Sequence, residues 1–294
     1  MPLFIDPPAT FEYDLEEVVA RLDESGVDLA DEASLTRCVD LLAGLSRNRD
    51  FLADRVIAEL KASYRDQLET NRYSAQVFLL HRSPRGWFVR ANMWPAERDA
   101  AYSASGPAAF AYGLPHDHNF NFLTTGYRGP GYVSDYYDYD PEGVDGRLGE
   151  PLNLRFVERS QLGEGKMMLY RAHRDIHSQL PPESLSISLN IMDEGEHIPW
   201  RDQYIVDLDA GTIVRRPTLT PGEMLLRCAV HLSDNGRDVA EQFATSHPVP
   251  RVRANAIAAL AAVAEGAGRA AVLERGMRDG DARVRDDCAR WLAC

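Results

Sequence analysis

The chain has 294 residues, 45% of them hydrophobic, and a formal net charge of −13. That length exceeds one average domain, and the apolar content sustains a real core. The acidic balance argues against nucleic acid or an anionic membrane surface as a partner, because neither attracts a negative protein.

Residues 1–13 are proline-rich and read as a segment that wraps the surface. From Asp14 to about Glu69 the pattern is helical. Leu15, Val18, Val19 and Leu22 fall at i, i+3, i+4 and i+7, and Leu35, Val39, Leu42 and Leu45 make a second stripe. Phe51, Val56, Ile57 and Leu60 continue it in a third helix. These helices are expected to form a structural cap over residues 1–74. The four cysteines, Cys38, Cys228, Cys288 and Cys294, lack close pairing and suit reduced thiols in a cytoplasmic protein. The chain carries no apolar run of about 18 residues and no charged-then-apolar leader, so no membrane span or export is expected.

The texture changes at Ala75. Gln76–Leu80 and Trp87–Ala91 are predicted strands around the Ser83-Pro84-Arg85-Gly86 turn. Further strands are predicted over Tyr132–Tyr139, Leu154–Glu158, Lys166–Tyr170, Ser184–Met192, Gln203–Leu208 and Thr212–Arg215. Many short strands between Gly/Pro turns predict an antiparallel barrel or double-sheet roll over residues 75–219, in an α+β protein. The strict alternation of Leu185-Ser186-Ile187-Ser188-Leu189-Asn190-Ile191 predicts a half-buried strand.

After Pro221 the chain is helical and alanine-rich to its last residue, giving a third region over 220–294. Pro250–Leu260 aligns with Ala282–Leu292, with Val252-Arg253 and Val284-Arg285 at a spacing of 32 residues. A Val-Arg pair opening an Ala/Leu helix at that period resembles HEAT repeats, built of stacked helix pairs. Two copies are too few for a free-standing solenoid. The segment is therefore expected to dock on the barrel, and it is a candidate surface for a protein partner.

The chemistry concentrates in Leu114-Pro115-His116-Asp117-His118-Asn119-Phe120-Asn121-Phe122. In an extended chain His116, His118, Phe120 and Phe122 share one face and Asp117 takes the other. A second cluster, His173-Arg174-Asp175-Ile176-His177, can supply a third imidazole. His177 is favoured because it directly precedes the Pro181-Pro182 turn and the last strand of the motif; His173 is the fallback ligand. Three neutral imidazoles leave positions open on a divalent ion, the mark of a catalytic rather than a closed structural site. The ligand set alone permits Fe(II), Zn, Ni, Cu or Mn. The His-x-Asp/Glu pattern of the facial triad is absent, so 2-oxoglutarate is not expected as a cosubstrate. Arg90, Arg128 and Arg171 are candidates to hold a substrate carboxylate, and Tyr127, Tyr132 and Tyr170 to act through their hydroxyls. His81, His197, His231 and His247 have no partner at ligand spacing and are assigned no chemistry.

The two histidine clusters resemble those of the cupin superfamily, whose first motif carries His-x-His and whose second carries a His on a later strand. The match covers roughly residues 75–215 and is specific at His116, His118 and His177. Positions 121–123 are Asn, Phe and Leu, where the family commonly has a Glu, and this is similar to the three-histidine thiol dioxygenases. His173-Arg174 and Ser188-Leu189 also match that group. Its later-strand Tyr is replaced by Asn190-Ile191-Met192, and no Cys–Tyr crosslink candidate is evident, so the resemblance implies the metal site and not the thiol substrate. It implies a double-stranded β-helix, Fe(II), and dioxygen chemistry on a small, polar, amino-acid-like molecule. It also allows a homodimer. Two other readings stay open: a redox-neutral isomerase, lyase or hydrolase, and a non-enzymatic interaction module.

Overall fold

A computed structural model describes residues 2–8, 11–196, 198–217 and 220–294 of the chain. The fold is α+β, and the chain divides into two compact units, residues 1–139 with 153–198 and residues 140–152 with 199–294. Among the described residues no helix is long and apolar enough to cross a membrane.

The first unit is built on a six-stranded antiparallel sheet. Its members are β1 (Leu3–Ile5), β2 (Val77–Ser83), β3 (Trp87–Trp94), β4 (Phe122–Arg128), β7 (Met167–Tyr170) and β9 (Ser186–Asp193), in the order β1-β7-β4-β9-β3-β2. A second, three-stranded sheet has the order β6-β5-β8, formed by β5 (Val133–Asp138), β6 (Arg155–Gln161) and β8 (Asp175–Leu180). Period-two alternation divides the large sheet chemically. Leu123, Met167, Leu169, Leu189, Ile191, Val89 and Ala91 lie on one face and join the core with α1 (Leu15–Ser25), α2 (Glu32–Arg47) and α3 (Phe51–Lys61). The helices form where the apolar stripes predicted them. Asp31 caps α2 by accepting from Ser34 N–H at 2.7 Å. In α3 only the first turn is buried, and Ile57 and Leu60 stay exposed.

The other face looks onto the three-stranded sheet. Leu79, Phe88, Phe122, Met168, Tyr170 and Met192 cluster there with Tyr136 of β5. The two sheets thus face each other as a roll, with no closed hydrogen-bonded ring among the described residues. Of the barrel and the double-sheet roll that the strand pattern predicted, the described residues form the roll and not a closed barrel. Closure at β2 is blocked by α4 (Arg65–Thr70): Gln67 Nε2–H donates to Leu79 O and its Oε1 accepts from Leu79 N–H, both at 2.9 Å. Just beyond that helix, Asn71 Nδ2–H donates to Val77 O at 2.7 Å. A side-chain amide standing in for a strand satisfies the edge and ends the sheet. The connection from β4 to β5 turns at Gly131, whose φ of 84° and close approach to the Leu162 carbonyl leave no room for a Cβ.

Among its described residues the second unit contains the hairpin β10 (Ile205–Asp207) and β11 (Thr212–Arg215) and five α-helices. These are α6 (Pro221–Leu232), α7 (Asp234–Ser246), α8 (Pro250–Val263), α9 (Ala267–Gly276) and α10 (Ala282–Ala293). Helix α5 (Ala100–Ser105) belongs to the first unit. The two copies of the internal repeat open α8 and α10, with Val252 and Val284 buried. The residues before them, Arg251 and Arg283, are both buried and converge on one carboxylate, Asp202. Arg251 also meets Glu223 at 2.9 Å, and Asp287 bonds Arg216 at 2.6 Å. Removing the shared anion leaves two buried guanidinium groups short of a partner. Asp202→Ala is therefore expected to cost about 3–5 kcal/mol of stability in this unit, read as a shifted denaturation midpoint. An unchanged midpoint would discard the network as a stabilising element.

Candidate metal centre

The backbone of His116 pairs with that of His177 on the outer edge of β8. His116 N–H donates to His177 O at 3.1 Å, and His177 N–H to His116 O at 3.0 Å, as an antiparallel bridge. Residues so opposed share a face. Gly113 N–H donates to Gln179 O at 2.9 Å, but Pro115 has no N–H to give, so the ladder stays discontinuous. The segment expected to run as a strand from His116 is thus irregular, and β4 begins only at Phe122. The shared face survives this. The His118 ring lies 4.9 Å from that of His116, 5.0 Å from that of Phe120 and 4.8 Å from that of Phe122.

One ring nitrogen from each of His116, His118 and His177 lies within 4.8 Å of the other two, and no Cys, Asp or Glu among the described residues joins them. His116 Nδ1–H donates to Leu114 O at 2.7 Å; a carbonyl can only accept, so Nε2 keeps its lone pair. The Nε2 atoms of His118 and His177 are 3.0 Å apart, and the Nδ1 atom of each is buried without a hydrogen-bond partner. As structural histidines these two would bury two unpaired nitrogens for a single mutual hydrogen bond, a poor exchange. A shared cation would instead take the Nε2 lone pairs of both rings, leaving each Nδ1 protonated. Two nitrogens about 2.1 Å from one ion and at right angles to each other are about 3.0 Å apart, so the donor set fits a divalent metal.

Burial lowers the pKa of all three imidazoles. For His118 and His177 the effect is large, and repulsion from neighbouring rings, and from Arg90 in the case of His118, adds to it. For His116 the Leu114 hydrogen bond and Asp117 oppose the burial effect. The rings are therefore neutral in the folded chain, the state a metal requires. Asp117 is fully buried on the far side, accepting from Tyr139 OH at 2.8 Å.

The remaining candidate residues divide sharply. His173 is not in the cluster. It adopts a left-handed φ of 54°, which breaks the parity an extended chain would give it, and its Nδ1 lies 3.4 Å from Asp117. Its N–H donates to His118 O at 2.8 Å and clamps the segment that carries His116 and His118. Tyr170 is in place, its ring 4.8 Å from His177 and stacked on Phe122 at 4.3 Å. Tyr127 is not: it lies on the helix-covered face, where its hydroxyl donates to Asn48 O at 2.9 Å. An odd offset from Phe122 along β4 puts it there. Arg128 is exposed, and Arg171 is spent on a two-pronged bond to the buried Asp175, at 2.7 and 3.1 Å. Arg90 lies on the inner face with its guanidinium over the rings of Tyr73 and Phe88, at 5.3 and 5.9 Å, and its Nε–H has no hydrogen-bond partner among the described residues; burial pulls its guanidinium down to about 10, so it remains a cation at neutral pH. Tyr132 is buried on the inner side, its ring 4.2 Å from Trp94. His197 lies outside the described residues.

Sequence reasoning missed the role of Tyr136, which opposes His177 across β5 and β8 and whose hydroxyl is 2.9 Å from that of Tyr170. It also missed Asn190 and Asn92. Read as the wet side of a half-buried strand, Ser186, Ser188 and Asn190 are in fact buried at 1–2% exposure, so β9 is enclosed on both faces.

No family model and no curated protein matches the chain. Among solved structures, it is similar to a DMSP lyase at 12% identity over 45% of this chain and 52% of the other, with a TM-score of 0.25. A salicylate 1,2-dioxygenase from Pseudaminobacter salicylatoxidans aligns at 7% identity over 48% of this chain and 33% of the other, with a TM-score of 0.26. A DMSP lyase from Ruegeria pomeroyi aligns at 14% identity over 66% of this chain and 78% of the other, with a TM-score of 0.25. The chain thus spans about half the length of the first and a third of the second. At such identities the chemistry of the site has to come from its own residues.

Because the histidines fold as neutral rings and titrate near pH 6.5 when unfolded, the unfolded chain binds more protons below that value. Stability of the metal-free protein is therefore present above about pH 6.5 and declines as pH falls, by up to about 1.4 kcal/mol per pH unit for each ring. Thermal melts between about pH 7.5 and about pH 5.5 should show this, and His177→Gln should flatten the slope. A slope that the substitution leaves untouched would show that the ring is not held neutral by burial.

Proposed function

We propose that this protein is a cupin-type metalloenzyme in which His116, His118 and His177 hold one divalent ion, Fe(II), for dioxygen-dependent oxidation of a small polar substrate. The convergence of three neutral imidazole nitrogens, from the buried His116 and His177 and the partly buried His118, with no carboxylate among them carries the proposal. Two facing antiparallel sheets with the histidines between them support an open form of the double-stranded β-helix. A divalent ion held by three neutral ligands retains its full charge and free positions, and as iron it supplies redox chemistry.

The protein's own groups complete the site. Arg90 binds and orients an anionic group, since a guanidinium matches a carboxylate with two parallel hydrogen bonds. Phe120 and Phe122, both within 5.0 Å of the His118 ring, exclude water from the histidines. Burial pushes the Tyr136 hydroxyl up to about 12 and that of Tyr170 further, so both stay protonated. Their 2.9 Å contact lets one phenol orient the other, and Tyr170 is placed to hold a proton beside His177.

Metal analysis after purification from iron-supplemented cells tests the ligand set. Wild type should carry close to one equivalent, and His116→Ala, His118→Ala and His177→Ala about a tenth of that or less, while His173→Ala keeps its metal. Wild type below about a tenth of an equivalent of any transition metal would leave an interaction module instead. Dioxygen uptake with a panel of small carboxylates tests the reaction, and turnover that persists without dioxygen moves the assignment to a redox-neutral lyase, isomerase or hydrolase.

A further inference from the structure

The inner face of the large sheet carries a polar block that the described residues satisfy only in part: Trp94 Nε1–H donates to Ser188 Oγ at 3.0 Å, but other groups there lack partners. Thr124, Asn190 and Arg90 are directly opposed across β4, β9 and β3, and Ser188 and Asn92 are opposed in the next inner row. Cβ atoms so placed are about 5 Å apart. Asn190 and Asn92 are 2% and 6% exposed. Asn190 Nδ2–H donates to Thr124 Oγ1 at 2.6 Å, yet Asn190 Oδ1, Asn92 Oδ1 and Arg90 Nε–H are all buried without a hydrogen-bond partner. Gln179, two residues beyond His177 on the same face of β8, adds its own buried, unpaired Oε1. Turning any of these amides end for end exchanges its unpaired atom, so each can meet a ligand as an acceptor or as a donor. Native proteins rarely bury so many unpaired groups in one place.

We infer that this block is the head-group subsite of the enzyme, and that it takes a carboxylate with a hydroxyl on the neighbouring carbon, a 2-hydroxy acid. The inference rests on reading the space between the sheets as the substrate site. Arg90 supplies the cation for the carboxylate. The amides call for a group that both donates and accepts, which a hydroxyl does whichever way they are turned. An ammonium group only donates. It would also place a second buried cation beside Arg90, and neither row contains a carboxylate to offset it. A plain carboxylic acid would leave the amides unpaired, and sites built around hydrogen bonds reject such analogues strongly. The amino-acid-like substrate implied by the sequence is therefore replaced by its hydroxy counterpart.

Calorimetric titration of the full chain with L-lactate, D-lactate, propanoate and L-alanine tests this, with metal content measured on the same samples. One lactate enantiomer should bind at least about tenfold more tightly than propanoate or alanine. Asn190→Leu should erase that preference and leave propanoate binding within about twofold, whereas Arg90→Leu should weaken all the acids. Asn92→Leu, checked by circular dichroism, serves if the Asn190 variant does not fold. Equal binding of lactate and propanoate, tighter alanine, or no lactate binding overturns the inference. Full metal with no lactate preference sinks the hydroxy acid alone; a lactate preference without metal sinks the metal centre alone.

Discussion

Two backbone hydrogen bonds between His116 and His177 hold the proposed centre together. The pairing puts two rings on one face without any side-chain support, and a slip of one residue would turn His177 away from its partners. It also sits where the chain changes sheets, since His116 is bridged to β8 of the small sheet and Phe122 opens β4 of the large one. A ligand segment tied to both sheets can place His118 between them. Pro115 and Gly113 are what keep this stretch from continuing as an ordinary edge strand that would have carried it past the seam.

The large sheet divides its labour between its faces. The face under α1, α2 and α3 is mainly apolar, and each fully buried aliphatic side chain there contributes about 1.5–3 kcal/mol. The face toward the small sheet carries Arg90, Asn92, Ser188 and Asn190, which cost stability wherever they lack partners. Such a concentration of unsatisfied groups is tolerated only because the opposite face over-determines the strands that carry them. The same strands therefore serve as scaffold on one side and site on the other.

How much of this could be read from the sequence follows from what periodicity reports. It reports that residues alternate, and so the helical stripes, most strands and the grouping of His116, His118, Phe120 and Phe122 were legible. It does not report what covers each face. The Ser186–Asn190 alternation has the same signature whether its polar side meets water or a second sheet, and it meets the second sheet. Parity was legible but unused for Tyr127, which an odd offset along β4 puts on the wrong face. His173 needed more, because a single left-handed residue resets the parity of an extended chain and only backbone geometry shows that. The spacing of Val252-Arg253 and Val284-Arg285 marked a repeat, whereas the convergence of the preceding Arg251 and Arg283 on Asp202 involves a residue well outside it.

The sequestration of Asp117 decides the electrostatics of the site. Its carboxylate lies one residue from His116 and His118, and facing them it would have raised their pKa values beyond its present effect on His116 and joined any metal shell as an anion. Held instead by Tyr139 OH on the reverse side, it leaves three neutral ligands and Arg90 as the charged group of the inner rows. A protein with a net charge of −13 thus encloses a region whose own charges are positive. Low-dielectric walls of Phe88, Phe120 and Phe122 strengthen that local field against the acidic surface around it. On the proposed reading, an anion that passes the acidic surface would gain its binding energy inside, and the depth of the site rather than the approach to it would select for anionic substrates.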